Sequence, residues 1–203
     1  LHKEYRRQRQ MCIRDRIRNV ATIAGNIATA SPIGDTLPLL LSLDAKVVLK
    51  SIKKNKIIPL NDFFIDYRKT KLQKGQFIDS IRIPIFPKNI FKAYKVSKRF
   101  DDDISSVCAS FNIEVVNKKI KNIRIAYGGM ASIPKRAKYC EKILLNSSIT
   151  EQIINKAQKA LEKDFKPISD MRASRKYRME VAKNLLHKCF LEIKQKKLIR
   201  VNN

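Results

Sequence analysis

Acidic residues are scarce in this sequence: 18 Asp and Glu stand against 44 Lys and Arg, a formal charge of +26 over 203 residues. Such a surplus raises nucleic-acid binding as one reading. The lysines, however, are scattered through every segment, with no basic stripe and no zinc-finger, RRM or helix-turn-helix pattern. A solvated basic surface is therefore the expectation, with at most electrostatic attraction to an acidic partner subunit or an anionic dinucleotide. Histidine is rarer still. His2 and His187 lie far apart, so no Ser–His–Asp or Cys–His nucleophile can be assembled, and His187 reads as a surface or packing residue on a late helix. The four cysteines, Cys12, Cys108, Cys140 and Cys189, never form a CxxC, which removes any zinc or iron–sulfur signature and fits a reducing compartment. No apolar run is long enough to span a bilayer and no leader pattern is visible, so a cytoplasmic protein away from membranes is expected. Hydrophobic residues (44%) are plentiful enough for the core of one or two small domains.

What is present is concentrated in Ile17 to Pro38, IRNVATIAGNIATASPIGDTLP. Gly25 follows Ala21, Thr22 and Ala24; Asn26, Thr29 and Ser31 add short hydrogen-bonding side chains; Pro32, Gly34 and Asp35 close a turn. Small residues let a backbone approach a bulky flat ligand, and free N–H groups beside a glycine can donate to a phosphate or a ring carbonyl. Asp35 also precedes the apolar run Leu37 to Leu43, where it suits a helix N-cap. Turn chemistry and capping explain the segment about as well as a ligand does.

Further along, the chain reads as α+β. Thr36 to Asp44 is a short apolar helix, Ala45 to Ser51 an alternating strand, and Ile57 to Leu60 a second strand. A helical turn is expected from Asn61 or Asp62 through Phe63, Phe64 and Tyr67. Lys74-Gly75 marks a turn, and Phe77 to Ile85 is a strand with Pro84 at its end. The best domain boundary lies near residues 86 to 91. Strands follow at Phe91 to Ser97, Ser106 to Val116 and Lys119 to Tyr127, the last two joined at Asn117-Lys118. Gly128-Gly129 ends this sheet. Helices are expected from Pro134 to Leu145, after Thr150 to about Lys163, and from Ser174, with Met179, Val181, Ala182, Leu185, Leu186, Phe190 and Ile193 as a core stripe.

Four strings, in order, carry a resemblance: GNIATASPIGD at Gly25 to Asp35, RFDDDIS at Arg99 to Ser105, IAYGGMASIPKRA at Ile125 to Ala137, and ISDMRASRKYRMEVAKNLL at Ile168 to Leu186. They resemble the FAD domain of the molybdenum hydroxylases, the xanthine dehydrogenase and carbon monoxide dehydrogenase flavoproteins. The last string looks like the small subunit of a bacterial xanthine dehydrogenase, in which iron–sulfur and flavin domains share one chain. The resemblance implies the second subdomain of a PCMH-type FAD-binding fold over residues 17–88. A CO dehydrogenase flavoprotein C-terminal-like domain, a three-stranded antiparallel sheet with helices, follows over 89–198. Residues 1–16 fit neither; MCIRDR at Met11 to Arg16 resembles a translated sequencing-adapter scar and is set aside.

The resemblance also implies a site. Thr22, Ile23, Ala24, Gly25 and Asn26 match the backbone run lying against the flavin, and Asp35 an acidic FAD contact. Ile78 matches an apolar neighbour of the dinucleotide, and Lys95 a basic contact. Ala24 departs from the family, which more often has glycine there. Asp101, Asp102 and Asp103 match a mobile loop near the isoalloxazine, where they influence access of the nicotinamide cofactor. As a local reading, the three aspartates neutralise Lys98 and Arg99, and Arg172, Arg175 and Arg178 serve packing, solubility or an interface. The implied activity is that of an FAD-dependent oxidoreductase, passing electrons from iron–sulfur clusters through FAD to NAD+ during purine hydroxylation. The molybdopterin and 2Fe-2S centres would sit on a missing domain or on the molybdopterin-binding large subunit. The family's glycine-rich pyrophosphate loop would lie upstream of this sequence, so it is expected to be a fragment that alone is inactive and binds FAD weakly. The alternatives are a subunit-docking domain with a degenerate flavin site and a basic nucleic-acid-binding module.

Overall fold

The computed structural model describes residues 19–52, 54–99 and 103–198. The stretch read as foreign, together with Cys12, His2, Asp101 and Asp102, lies outside the described residues. The small-residue segment contains a helix rather than a continuous turn: α1, Ile23–Thr29, begins where the Thr22 hydroxyl accepts a hydrogen bond from the Gly25 N–H, at 2.9 Å. It stops at Ala30, whose left-handed backbone closes the last turn. Helix α2, Thr36–Ser42, then buries Leu37, Leu40 and Leu41.

Strands β1, Lys46–Lys50, and β2, Asn55–Pro59, form a hairpin, and the short helix α3, Leu60–Phe63, follows. The helical turn expected through Tyr67 ends at Phe63. The chain instead turns back as the small ribbon of β3, Phe64–Asp66, and β4, Lys69–Thr70, with Arg68 in the left-handed region. Strand β5, Phe77–Arg82, pairs with the other edge of β1, giving the antiparallel order β2-β1-β5. Strand β1 is buried at Val47, Val48 and Leu49, and its core partners come from α1, α2 and α3.

The second half is built on β6, Ile90–Ser97, β7, Ser105–Val116, and β8, Lys119–Gly128. A two-residue strand β9, Lys135–Arg136, adds a fourth member to the expected three. Asn117 and Lys118 both take positive φ at the two-residue turn between β7 and β8, the geometry a tight hairpin requires. Pro134 precedes β9 instead of opening a helix; α4 runs from Lys138 to Leu144. Helix α5, Glu151–Asp164, is capped by the Thr150 hydroxyl on the Ile153 N–H, and α6, Arg175–Gln195, by Ser174 on Tyr177.

Strand β7 explains how the halves meet. Its residues 105–113 are all buried, because both faces of the strand are covered. Val107, Ala109, Phe111 and Ile113 point into the core under α4, α5 and α6, where Tyr94, Phe111, Tyr127 and Phe165 make a file of edge-to-face rings. The alternate residues meet the first half. Ser110 shares a 2.7 Å hydrogen bond with Ser42, and Asn112 donates to the Ser42 carbonyl. Ala126 of β8 belongs to the first half's core. The two cores are thus separate clusters joined by one polar, close-packed seam.

Candidate flavin site

Two of the expected contact residues, Asp35 and Lys95, meet at that seam. Period-two alternation puts Lys95, Cys108 and Gly128 in one row across β6, β7 and β8, since Lys95 pairs with Cys108 and Cys108 with Gly128. Over this row runs the Ser31 to Asp35 turn. The Gly129 N–H donates to the Pro32 carbonyl at 2.8 Å. A Cβ on Gly128 would sit 3.1 Å from that same carbonyl and from the Pro38 ring. Gly129 has φ +80°, and a side chain there would strike the Ser106 carbonyl. The glycine pair therefore lets the turn settle on the sheet.

Asp35 occupies the N-cap position of α2 but makes no side-chain cap bond. Its carboxylate is taken by the other half: Lys95 Nζ donates to Oδ2 at 2.8 Å, and the Ser105 hydroxyl donates to Oδ1. Lys95 is therefore not one more solvated lysine. The Cys108 thiol lies 3.6 Å from the Asp35 carbonyl, and burial, reinforced by Asp35, pushes it up to about 12. It is a packing thiol, not a nucleophile.

Asn26 accepts from the Thr36 hydroxyl at 2.6 Å, so α1 is pinned to the start of α2 one residue past Asp35. Ile78 is half-buried on β5, the strand on which α1 rests, and packs against the first core. The structure thus gathers Thr22, Ile23, Ala24, Gly25 and Asn26 on α1, with Ile78 beneath that helix. Asp35 and Lys95 form an ion pair at the seam. The outer surface of α1 is open. Thr22, Gly25, Ala28 and Thr29 are exposed and Ile23 is 52% exposed, an apolar and small-residue face that no other described residue covers.

The support behind this row comes from Arg178, one of the three arginines read as serving packing, solubility or an interface; its partners were not legible. Arg178 is 1% exposed; its Nη1 donates to the Ser106 and Gly129 carbonyls, the latter at 3.1 Å, and its Nη2 to Asp170 at 2.7 Å. It locks the ends of β7 and β8 where Gly129 meets Pro32. Burial opposes ionisation of Asp170, but the Arg172 and Ala173 N–H groups and the guanidinium hold its carboxyl below the usual 3.8. Two signals for this clamp were in the sequence: a glycine pair at 128–129 and an Asp followed eight residues later by Arg. Neither names the contact without the fold. Asp103 accepts from the Arg99 and Ile104 N–H groups, which lower its carboxyl; Lys98 donates instead to the Met171 carbonyl. His187 faces Glu151 at 3.2 Å. Cys108, Cys140 and Cys189 are buried free thiols, and the described residues contain no metal-ligand cluster and no helix long and apolar enough to cross a membrane.

Residues 3–86 match the family described as the FAD binding domain in molybdopterin dehydrogenase, and residues 92–193 the CO dehydrogenase flavoprotein C-terminal domain. The chain is 37% identical to xanthine dehydrogenase of Emericella nidulans over 153 residues, 73% of this chain and 11% of that protein. It is 31% identical to the glyceraldehyde dehydrogenase medium chain of Sulfolobus acidocaldarius, over 87% of this chain and 63% of that one. Reconstituted CO dehydrogenase from Oligotropha carboxidovorans superposes with a TM-score of 0.80 at 25% identity, over 85% of this chain and 60% of its counterpart. The chain therefore spans only about a tenth of the xanthine dehydrogenase. It belongs to the molybdopterin dehydrogenase family, as an FAD-binding domain followed by a CO dehydrogenase flavoprotein C-terminal domain.

Proposed function

We propose that this chain is the flavin-holding part of a xanthine dehydrogenase-type molybdenum hydroxylase, with residues 17–88 and 89–198 as its two units. FAD would lie on Thr22 to Asn26, beside Ile78, with Asp35 and Lys95 at its edge. The single observation that carries this is the exposed, small-residue face of α1, tied through Asn26 to the Thr36 hydroxyl one residue past Asp35. A degenerate site would have folded the whole Gly25 to Asp35 segment onto its own core; Ile27, Ala30 and Gly34 are buried there, yet Gly25, Ala28 and Thr29 remain exposed. An uncovered Ile23 beside Gly25 fits a flat aromatic ring better than it fits water. When bound, the flavin would supply the one- and two-electron chemistry that links iron–sulfur clusters to NAD+.

The chain's own residues bind and orient. The Thr22 hydroxyl fixes the first turn of α1, Asn26 fixes α1 against α2, and Lys95 is pre-placed by Asp35 and its strand. No side chain acts as a general acid or base, because the substrate purine would be handled on the molybdopterin-binding partner. The test is flavin content and xanthine-driven NAD+ reduction by the polypeptide carrying this chain, purified with that partner. A yellow complex that reduces NAD+ supports the reading. A colourless complex would leave the fold standing and favour subunit docking.

A further inference from the structure

Between α4 and α5 lies an open cavity of about 420 Å³. Its floor is apolar: Tyr139 and Ile143 come from one face of α4, one helical turn apart, and Ala160 from α5. Tyr139 is 57% exposed although its ring borders the cavity. Lys142, Lys156, Lys159 and Lys163 make the rim, the last three at helical spacing on one side of α5.

The charge at this rim is only partly compensated from within. The two helices carry four carboxylates, and each is committed elsewhere. Glu141 is buried against Arg136 and the Ile125 N–H, and Asp164 accepts from the Tyr139 and Cys140 N–H groups. Glu162 pairs with Lys183, and Glu151 with His187. Among the described residues no carboxylate forms an ion pair with any of the four rim lysines, although Lys159 is near enough to Glu162 to help lower its carboxyl. Lys163 gains from the C-terminal end of α5 and Lys159 from the nearby Glu162, but Lys156 has no such reason to be cationic. Long ammonium side chains whose stems line an apolar floor suit a partner that brings carboxylates at its edges and an aliphatic or aromatic side chain at its centre. A nucleic acid would satisfy the lysines but leave the floor empty apart from one tyrosine, and strands are gripped by successive stacking aromatics.

We propose that this groove is a docking surface for an acidic, amphipathic segment of another protein chain. The proposal is independent of flavin binding. It is tested with the full chain and a labelled helical peptide carrying leucine at i, i+4 flanked by glutamates, read by fluorescence anisotropy at low and high salt. Binding is expected to weaken about tenfold or more in the variant Lys156→Glu/Lys159→Glu/Lys163→Glu. A several-fold loss is expected in Tyr139→Ala and with a glutamate/serine peptide of equal charge. Equal charge reversal at the exposed Lys69, Lys71 and Lys74, outside the groove, should change affinity less than about twofold. Circular dichroism checks that each variant folds; if the triple variant does not, Tyr139→Ala and the serine peptide decide alone. Equal losses from both reversals, or no preference for leucine over serine, would reduce the effect to general attraction to a basic protein and overturn the proposal. Tighter binding of a single-stranded oligonucleotide, lost in the groove variant, would overturn it in favour of a nucleic-acid interface.

Discussion

Replacing Arg178 with methionine tests the claim that this side chain holds the seam beneath the candidate flavin site. Methionine keeps most of the apolar stem and removes the guanidinium. The Ser106 and Gly129 carbonyls then lose a charged donor, at about 1.5–3 kcal/mol each for hydrogen bonds of this type. Breaking a buried ion pair by deleting one partner costs about 3–5 kcal/mol. The loss here falls at the low end, because the Asp170 carboxylate is 25% exposed and keeps the Arg172 and Ala173 N–H groups. The buried Nε also has no partner, so its removal restores a little. The two figures describe one and the same loss and are not added, so a destabilisation of about 3 kcal/mol results, equivalent to a fall in Tm of about 6–12 °C for a chain of this size. Urea unfolding followed by circular dichroism, with an unchanged m-value, gives the number. Arg178→Lys should fall between, since an ammonium cannot fork to both carbonyls and the carboxylate. A loss below about 1 kcal/mol for methionine would show that the clamp contributes little, and the seam would then rest on the glycine pair.

Further outcomes follow from the same geometry. Gly129→Ala meets both a positive φ and the Ser106 carbonyl, so it should destabilise by about 2 kcal/mol or more in the same urea assay, whereas alanine at the open Gly75 should cost less. Burial raises Cys108 and Cys189 to about 12 from an ordinary 9.0. The unfolded thiols ionise first, so stability is complete below about pH 9 and declines as pH rises toward 12; melting curves across pH 8 to 11 should show this limb shrink in Cys108→Ala. Asp170 has the opposite sign: its lowered carboxyl adds stability above about 3.8 that is lost as pH falls, and Asp170→Asn should flatten the acid limb. Asp35→Asn changes a pair more than 40% exposed on both sides, so it should cost under about 1 kcal/mol of stability while weakening FAD retention in the assembled enzyme.

Most elements were legible because local signals agreed: the β-branched apolar run of β1 (buried throughout at Val47, Val48 and Leu49 rather than alternating), the turn at 117–118, and hydroxyl caps at Thr150 and Ser174 all acted within a few residues. The misses came from places where the next neighbour is distant. Helix α1 is too short and too small-sided to show a periodicity, and only the Thr22 cap and its packing on β5 reveal it. Phe64 to Tyr67 has the aromatic content of a helical turn, but the left-handed Arg68 lets it fold back as a ribbon. Asp35 has the composition and place of an N-cap, yet a lysine sixty residues on wins the carboxylate. The candidate site residues rest on a resemblance to the family, and the row Lys95–Cys108–Gly128 that sets Lys95 against Asp35 is contained in none of its four strings.

The stitch between Ser42, Ser110 and Asn112, with Ala126 seated in the first core, sets an order of events during synthesis. Helix α2 is made early, but the surface that covers it, β7 and β8, is translated some eighty residues later. Until Gly128 clears the ribosome, Leu40 and its neighbours have half a shelter. The first half is therefore a guest waiting for its host, and a nascent chain stalled between residues 90 and 128 should be the form that chaperones hold and proteases cut.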